Sequence, residues 1–137
     1  MPRIVREAVL TWEGTLARGA GSMTAGTSGA FTALPFSLPT RIGNAEGRTS
    51  PEELLAAAHG ACFVMSLANE LSTRDAPADD LRVRVAITMD EVEGKGHQIV
   101  GSSLAVTANG ARAEGAFLAE ALAAADEGCP FSTLLRA

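Results

Sequence analysis

The sequence feature that most constrains the fold is a long helical segment with an uncharged centre. Residues 54–68 contain no charged side chain. Ser50 precedes this segment as a capping residue, Pro51 stands at the first helical position and Glu53 at the third. That order is a strong signal for the start of a helix. The pattern predicts one helix from Pro51 to about Ser72.

A helix without charge on any face needs apolar cover nearly all round. A small domain has difficulty in enclosing such a helix alone. The small residues at 56–58, together with Gly60 and Ala61, would allow another helix to approach closely. We therefore expect a homodimer in which this helix packs against its own copy.

The rest of the chain alternates between strand and helix patterns. Strands are predicted at residues 6–16, 22–27, 30–34, 81–89 and 98–107, with a turn at 93–96 between the last two. Residues 35–48 are predicted to be a loop because their prolines and glycines oppose regular structure. A second helix is predicted over residues 113–127, ended by Gly128. This order predicts a single α+β domain of residues 1–137 with antiparallel sheet.

The charge and composition of the sequence argue against some classes of binding partner. The net charge of -5 argues against nucleic acid or an anionic membrane, because nothing would neutralise phosphates. Met1 is followed by Pro2 and Arg3 and not by a continuous apolar stretch, so no secretory signal is expected. The uncharged run is shorter than the roughly 20 residues that span a bilayer. We expect a soluble, cytoplasmic protein.

Two cysteines in a reducing compartment are catalytic, redox-sensing or simply buried and inert. Cys62 lies in the middle of the predicted helix, where the helix dipole helps little and burial would raise its pKa. It could be a good nucleophile only with a cation beside it. Cys129 lies between Gly128 and Pro130, at a corner that suits either an exposed, mobile thiol or a small apolar residue closing a helix end.

Four segments together resemble one known family. The stretch TSPEELLAAAHGACFVMSLANEL (49–71), followed by EGCPFSTLL (127–135), resembles the osmotically inducible protein C and organic hydroperoxide resistance protein family (OsmC/Ohr). TWEGTLARGAGSM (11–23) and TRIGNAEGR (40–48) resemble its osmotically inducible branch. The resemblance covers nearly the whole chain in order. One departure is that relatives usually continue into a final strand, whereas this sequence has eight residues after Cys129.

The resemblance implies an OsmC-like fold, in which antiparallel sheets surround a long central helix, and an intertwined homodimer with the active site at the subunit interface. It implies an enzyme that reduces organic hydroperoxides in stress defence. Cys62 matches the peroxidatic cysteine and Cys129 the resolving one. Arg41, in the tripeptide TRI, matches the active-site arginine, with Arg18 as second choice. Glu52 matches the glutamate of the helix-start motif.

The mechanism implied by the resemblance is thiol chemistry without a cofactor or a metal. Arg41 would stabilise the Cys62 thiolate and Glu52 would hold the guanidinium. Cys62 would become a sulfenic acid, and Cys129 would condense with it to a disulfide. An external dithiol, of lipoyl type by the family-based guess, would restore both thiols. An apolar wall would favour organic over hydrogen peroxide; its candidates are Phe63, Met65, Phe36 and Phe131.

Three other interpretations stay open. A zinc module could use His59, Cys62 and Cys129 with one further group. A cysteine hydrolase would need a general base near Cys62, and His59 on the same helix is badly placed to be oriented by a third group. A non-enzymatic dimer with inert or redox-sensing cysteines is the simplest alternative. His59 could also help to ionise Cys62, although a satisfied core or interface histidine is the favoured interpretation.

Overall fold

The computed structural model describes residues 3–110 and 115–137, and the chain divides into two compact units, Met1–Pro51 and Glu52–Ala137. The first unit contains β1 (Ala8–Glu13), β2 (Ala20–Ala25), β3 (Leu34–Phe36) and the short helix α1 (Leu38–Ile42). From the unit boundary onward follow α2 (Pro51–Thr73), β4 (Asp80–Val92), β5 (Gly96–Asn109), α3 (Gly115–Gly128) and α4 (Pro130–Arg136). The single domain over residues 1–137 stays a prediction.

The strands of the first unit form an antiparallel sheet in the order β1-β2-β3. Ala8 lies opposite Ala25, and Gly21 lies opposite Phe36. A side chain at Gly21 would meet the Phe36 ring at 2.5 Å, so a glycine is required where the ring crosses β2. The strands predicted at residues 6–16 and 22–27 are confirmed as β1 and β2 with shifted ends. The strand predicted at residues 30–34 is wrong, because β3 runs over Leu34–Phe36.

The prediction that residues 35–48 form an uninterrupted loop is wrong. These residues contain the end of β3 and the whole of α1. Ser37 caps α1, and its hydroxyl accepts a hydrogen bond of 3.3 Å from the Thr40 N–H. Pro39 falls in the first turn, where its missing N–H removes no helical bond. Gly43 ends the helix and donates its N–H to Pro39 O at 2.9 Å. Proline here is part of the helix start and not a breaker.

In the second unit, β4 and β5 form one long antiparallel hairpin with Asp80 opposite Asn109 and a register shift between Thr88 and Met89. Its turn lies where the sequence predicted it. One face of β4 is half-buried at every second residue, as an alternating strand requires. The hairpin packs closely against α2, since a Cβ at Gly60 would stand 3.0 Å from the Val85 side chain.

Helix α2 is buried along one stripe only. His59, Phe63, Leu67 and Leu71 recur every four residues and so share one face. Apart from His59, they form the core with Ala121 and Ala125 of α3 and with Cys129. The expectation of burial nearly all round is therefore not met within one chain, where Met65 is 67% exposed.

By length and composition alone, α2 could also cross a bilayer, since it has 23 residues and its most apolar window has a mean hydropathy of 1.3. The prediction that no segment spans a bilayer used the length of the uncharged run alone, and α2 extends beyond that run at both ends. Core helices of globular proteins share this composition, so the observation carries little weight. The face of α2 away from the core still needs an explanation, which a second copy of the chain would give.

The carboxyl-terminal part of the described structure consists of two helices joined at Cys129. Helix α3 ends at Gly128, close to its predicted end, whereas its predicted start at residue 113 lies outside the described residues. Pro130 then occupies the first turn of α4, the position that proline tolerates best in a helix. The sequence analysis assigned no element to this last segment.

Candidate active site

The two cysteines, 67 positions apart in sequence, meet in the second unit. Both are free thiols. The thiol of Cys62, in the middle of α2, interacts directly with that of Cys129, which lies at the link between α3 and α4. A hydrogen bond of 3.0 Å from the Ser66 hydroxyl to Ala125 O ties α3 to α2 one turn beyond Cys62. The packing of the two helices thus brings the pair together.

The two thiols differ in access to solvent. Cys129 has no exposed surface, whereas Cys62 is partly exposed. Of the two interpretations left open for Cys129, the structure of this reduced state agrees with a residue that closes a helix end and not with an exposed thiol. The side chain closes the end of the core between α2 and α3. A reagent in solution can reach Cys62 but not Cys129.

The two thiols also differ in acidity. Burial raises the pKa of Cys62, contact with Cys129 raises it further, and the backbone N–H of Phe131 acts in the opposite direction. Burial also acts to raise the pKa of Cys129, but the hydroxyl and the backbone N–H of Ser132 outweigh it, so this pKa is lowered. Cys129 is therefore favoured over Cys62 to ionise first.

His59 is a buried, fully hydrogen-bonded histidine next to this pair. Its Nε2 lies 2.7 Å from Ser132 Oγ and its Nδ1 lies 2.7 Å from Ser102 Oγ. Burial lowers the pKa of His59, and the negative charge of Asp126 partly opposes this. The favoured interpretation of His59 as a satisfied core histidine agrees with these bonds.

Ser132 and Ser102 were missed by the sequence analysis. Ser132 stands three residues after the capping position of α4, where a polar residue near Cys129 could have been noticed from the sequence CPFS. Ser102 had no such signal, because its partner His59 lies 43 positions away on another element.

The predicted charged residues are divided between the two units. Glu52 stands in the first turn of α2, in the same unit as both cysteines. Arg41 stands in the last turn of α1, in the first unit. It lines a pocket of about 310 Å³ with Trp12, Leu16, Phe36, Ser37, Leu38 and Pro51. Arg18 is exposed in the turn after β1.

Of the four residues expected to form an apolar wall, Phe36 lies in the first unit and the other three lie in the second. Phe63 is buried in the core of the second unit, and Met65 is exposed on α2. Phe131 is 37% exposed at the start of α4. Phe36 lines the Arg41 pocket of the first unit, where its ring contacts Trp12 at a centroid distance of 5.7 Å. The apolar surface beside an arginine is thus in the first unit.

Two of the alternative interpretations lack structural support. Within residues 3–110 and 115–137, no three His, Cys, Asp or Glu side chains are grouped so that they could hold a metal ion. A cysteine hydrolase would need a histidine acting on Cys62. Both ring nitrogens of His59 are instead bonded to serine hydroxyls.

The chain matches the family model described as OsmC-like protein over residues 43–137. It is 32% identical over 130 residues to the peroxiredoxin OsmC of Escherichia coli (strain K12), covering 92% of this chain and 86% of that protein. Among solved structures, the organic hydroperoxide resistance protein OhrB of Bacillus subtilis has a TM-score of 0.72 at 26% identity, covering 95% of this chain and 90% of OhrB.

A second solved structure agrees in fold. It is an organic hydroperoxide resistance protein OsmC from Legionella pneumophila, with a TM-score of 0.74 at 22% identity, covering 98% of this chain and 92% of that one. The fold shared with these proteins is α+β, with antiparallel sheets and a long central helix. On this evidence the chain belongs to the OsmC-like protein family.

Proposed function

We propose that this chain is a thiol peroxidase that reduces organic hydroperoxides through Cys62 and Cys129 and acts as a homodimer. The observation that carries the proposal is the unequal access of two thiols in contact. A hydroperoxide can reach Cys62, while Cys129 is buried against it and ready to close a disulfide. The names of the relatives, a peroxiredoxin and organic hydroperoxide resistance proteins, support the same substrate class.

The first step is attack of the Cys62 thiolate on the terminal oxygen of the hydroperoxide. The O–O bond breaks, an alkoxide leaves and takes up a proton to become an alcohol, and Cys62 becomes a sulfenic acid. Because the pKa of Cys62 is raised, its proton must first move to Cys129 or to solvent. A cation close to Cys62 would drive that transfer.

Arg41 is the proposed cation, and Glu52 is proposed to orient its guanidinium. The Arg41 pocket combines a positive charge with an apolar surface from Trp12, Leu16 and Phe36. Such a pocket suits the carbon chain of an organic hydroperoxide better than it suits hydrogen peroxide. Comparable rates with tert-butyl hydroperoxide and hydrogen peroxide would contradict this preference.

The second step forms the disulfide. Cys129 attacks the sulfur of the Cys62 sulfenic acid, the S–O bond breaks, and water is released. An external dithiol then reduces the disulfide, for which a lipoyl-type dithiol is the candidate. Because the two thiols are in contact, the sulfurs have little distance to move before the disulfide forms. This protects Cys62 from further oxidation.

The proposed homodimer is supported by an open groove of about 530 Å³ between α2 and β4. Its floor consists of the small residues that the sequence analysis singled out, among them Ala57, Gly60 and Ala61. Small side chains on a helix allow another helix to approach closely, and a second copy would also cover the apolar face of α2.

Intact mass after one equivalent of cumene hydroperoxide tests the proposed function. The wild-type chain should lose about 2 Da as a disulfide. Cys129→Ser should progress to sulfinic or sulfonic acid, because nothing intercepts the sulfenic acid. Cys62→Ser should not react. An unchanged thiol content in the wild type would favour the inert dimer, and a reactive Cys62→Ser protein would reverse the roles of the two cysteines.

A further inference from the structure

A chain of polar side chains leads from Cys129 out of the core. Ser132 Oγ contacts the Cys129 thiol and lies 2.7 Å from His59 Nε2. His59 Nδ1 in turn lies 2.7 Å from Ser102 Oγ. Cys129, Ser132 and His59 are at most 3% exposed, whereas Ser102 is only partly buried. Ser132, His59 and Ser102 come from α4, α2 and β5, and Cys129 is the capping residue of α4.

The hydrogen bonds along these polar side chains can run in either direction. When Cys129 is a thiolate, Ser132 donates to it, His59 Nε2 donates to Ser132, and Ser102 donates to Nδ1. When Cys129 is a thiol, every donor and acceptor can reverse, with His59 in its other neutral tautomer. Burial keeps His59 neutral at physiological pH, which both arrangements require. The state of Cys129 is therefore linked to the tautomer of His59.

Cys129 needs such a path because water does not reach it. When Cys129 takes up the proton that Cys62 gives up, it must lose this proton before it attacks the sulfenic acid. The thiol has no exposed surface through which a proton could leave. Ser102 lines an open pocket of about 440 Å³ whose wall also contains the carboxylate of Asp126. The chain of polar side chains thus ends at an open pocket, where water and a carboxylate can take a proton.

We propose that Ser132, His59 and Ser102 form a proton relay that deprotonates Cys129 during disulfide closure. The inference rests on the proposed function. Ser132 and His59 are positioning residues, since they act on the reacting sulfur through the proton of Cys129. One proton passes from Cys129 to Ser132, one from Ser132 to His59 Nε2, and one from His59 Nδ1 to Ser102, which releases its own to solvent.

The proton count of the closure step balances with this relay. The Cys129 thiolate forms the S–S bond, the S–O bond of Cys62 breaks, and the departing hydroxide takes up one proton to give water. In this step the Cys129 sulfur is oxidised and the sulfenic sulfur of Cys62 is reduced by the same amount, so no further oxidant is needed. The charged and titratable groups that act on the relay are Cys62, Asp126 of α3 and Arg136, which pairs with Asp126 at 2.7 Å.

A single-turnover experiment separates closure from the peroxide step. The protein is mixed with one equivalent of cumene hydroperoxide and quenched with a sulfenic-acid trap, and trapped product and disulfide are both measured by mass. In Ser132→Ala, the ratio of the closure rate to the sulfenic acid formation rate should fall at least about tenfold at neutral pH, because a hydrogen bond to a charged group is lost. Ser103→Ala, on the exposed side of β5, should match the wild type.

His59→Gln distinguishes a relay from static positioning. A glutamine amide can still contact Ser132 but cannot exchange its proton between two nitrogens, so closure should slow and its dependence on pH should steepen. Closure at the wild-type rate in both His59→Gln and Ser132→Ala would overturn the relay. If Ser132→Ala does not fold, Ser102→Ala provides the second hydroxyl deletion, with the same expected slowing.

A separate measurement keeps the relay testable if the proposed function fails. In a Cys62→Ser background, the thiolate absorbance of Cys129 is titrated with and without Ser132→Ala. The titration should move to higher pH when the Ser132 hydroxyl is removed and should not move with Ser103→Ala. An unmoved titration would overturn the contact on which the relay depends. Absence of any sulfenic acid in the wild type would count instead against the peroxidase.

Discussion

Cys62 is the more accessible of two thiols in contact, and Cys129 is the more acidic. Burial and the neighbouring sulfur raise the pKa of Cys62, while Ser132 lowers that of Cys129 against the effect of burial. The thiol that a peroxide can reach is thus the one whose pKa is raised. This opposition explains why a peroxidase built on this pair needs a cation for Cys62 and a proton path for Cys129.

Replacement of the arginines should identify the cation. In Arg41→Met, sulfenic acid formation on Cys62 should slow by about tenfold to a hundredfold, because a charge-assisted contact to the thiolate is lost. Arg18→Met should leave the rate within about twofold of the wild type, as is usual for exposed surface substitutions. Stopped-flow measurement with cumene hydroperoxide gives both rates. The reverse ranking would assign the role to Arg18, which the resemblance left as second choice.

Substitution in the α2 groove should break the homodimer. Ala57 lines the groove beside β4, so a lysine there would place a charge in the proposed helix contact. Ala57→Lys should give monomers by light scattering at concentrations where the wild type is dimeric. Asn69→Lys, which changes an exposed residue on another face of the same helix, should remain dimeric. A wild type that scatters as a monomer would remove the argument for a second copy.

The buried His59 should make stability fall in mild acid. Burial lowers its pKa below the ordinary value of 6.5, so the unfolded chain binds more protons than the folded one below that pH. This contribution to the free energy of unfolding is fully present above pH 6.5 and is lost as pH falls through the folded pKa. The slope is at most about 1.4 kcal/mol per pH unit.

Denaturant unfolding between about pH 5 and 7 measures that slope, in a range where most carboxylates stay ionised. His59→Gln should be less stable than the wild type but should lose this component of the slope. His97→Gln, which changes an exposed histidine of β5, should keep the wild-type slope. A slope that survives in His59→Gln would assign the acid sensitivity to other groups.

Short sequence patterns predicted those helices and strands whose formation depends on residues close together in the sequence. The serine, proline and glutamate at residues 50–53 predicted where α2 begins, and alternation predicted β4 and β5 with the turn between them. Helix α1 was missed because its prolines and glycine were interpreted as breakers, although Pro39 lies in a first turn and Gly43 at an end. Proline and glycine occur both in loops and at the two ends of a short capped helix.

Long-range contacts were beyond the sequence. The bonds of His59 to Ser102 and Ser132 join residues 43 and 73 positions apart. They exist only because α2, β5 and α4 pack together, and no periodicity encodes that packing. For the same reason, Cys129 was left open between an exposed thiol and a core residue. Its burial depends on how the end of α3 meets α2.

The core stripe of α2 should carry much of the stability of the second unit. Leu67 has no exposed surface and packs among Phe63, Leu71 and the alanines of α3. Leu67→Ala should lower the free energy of unfolding by about 2–5 kcal/mol, because it removes buried methyl groups and leaves a cavity. Leu134→Ala makes the same chemical change where the side chain is 67% exposed, so the loss should stay within about 0.5 kcal/mol. Urea unfolding measures both. An equal loss at Leu134 would mean that another surface covers α4 in solution, and a small loss at Leu67 would contradict the packing of α2 on α3.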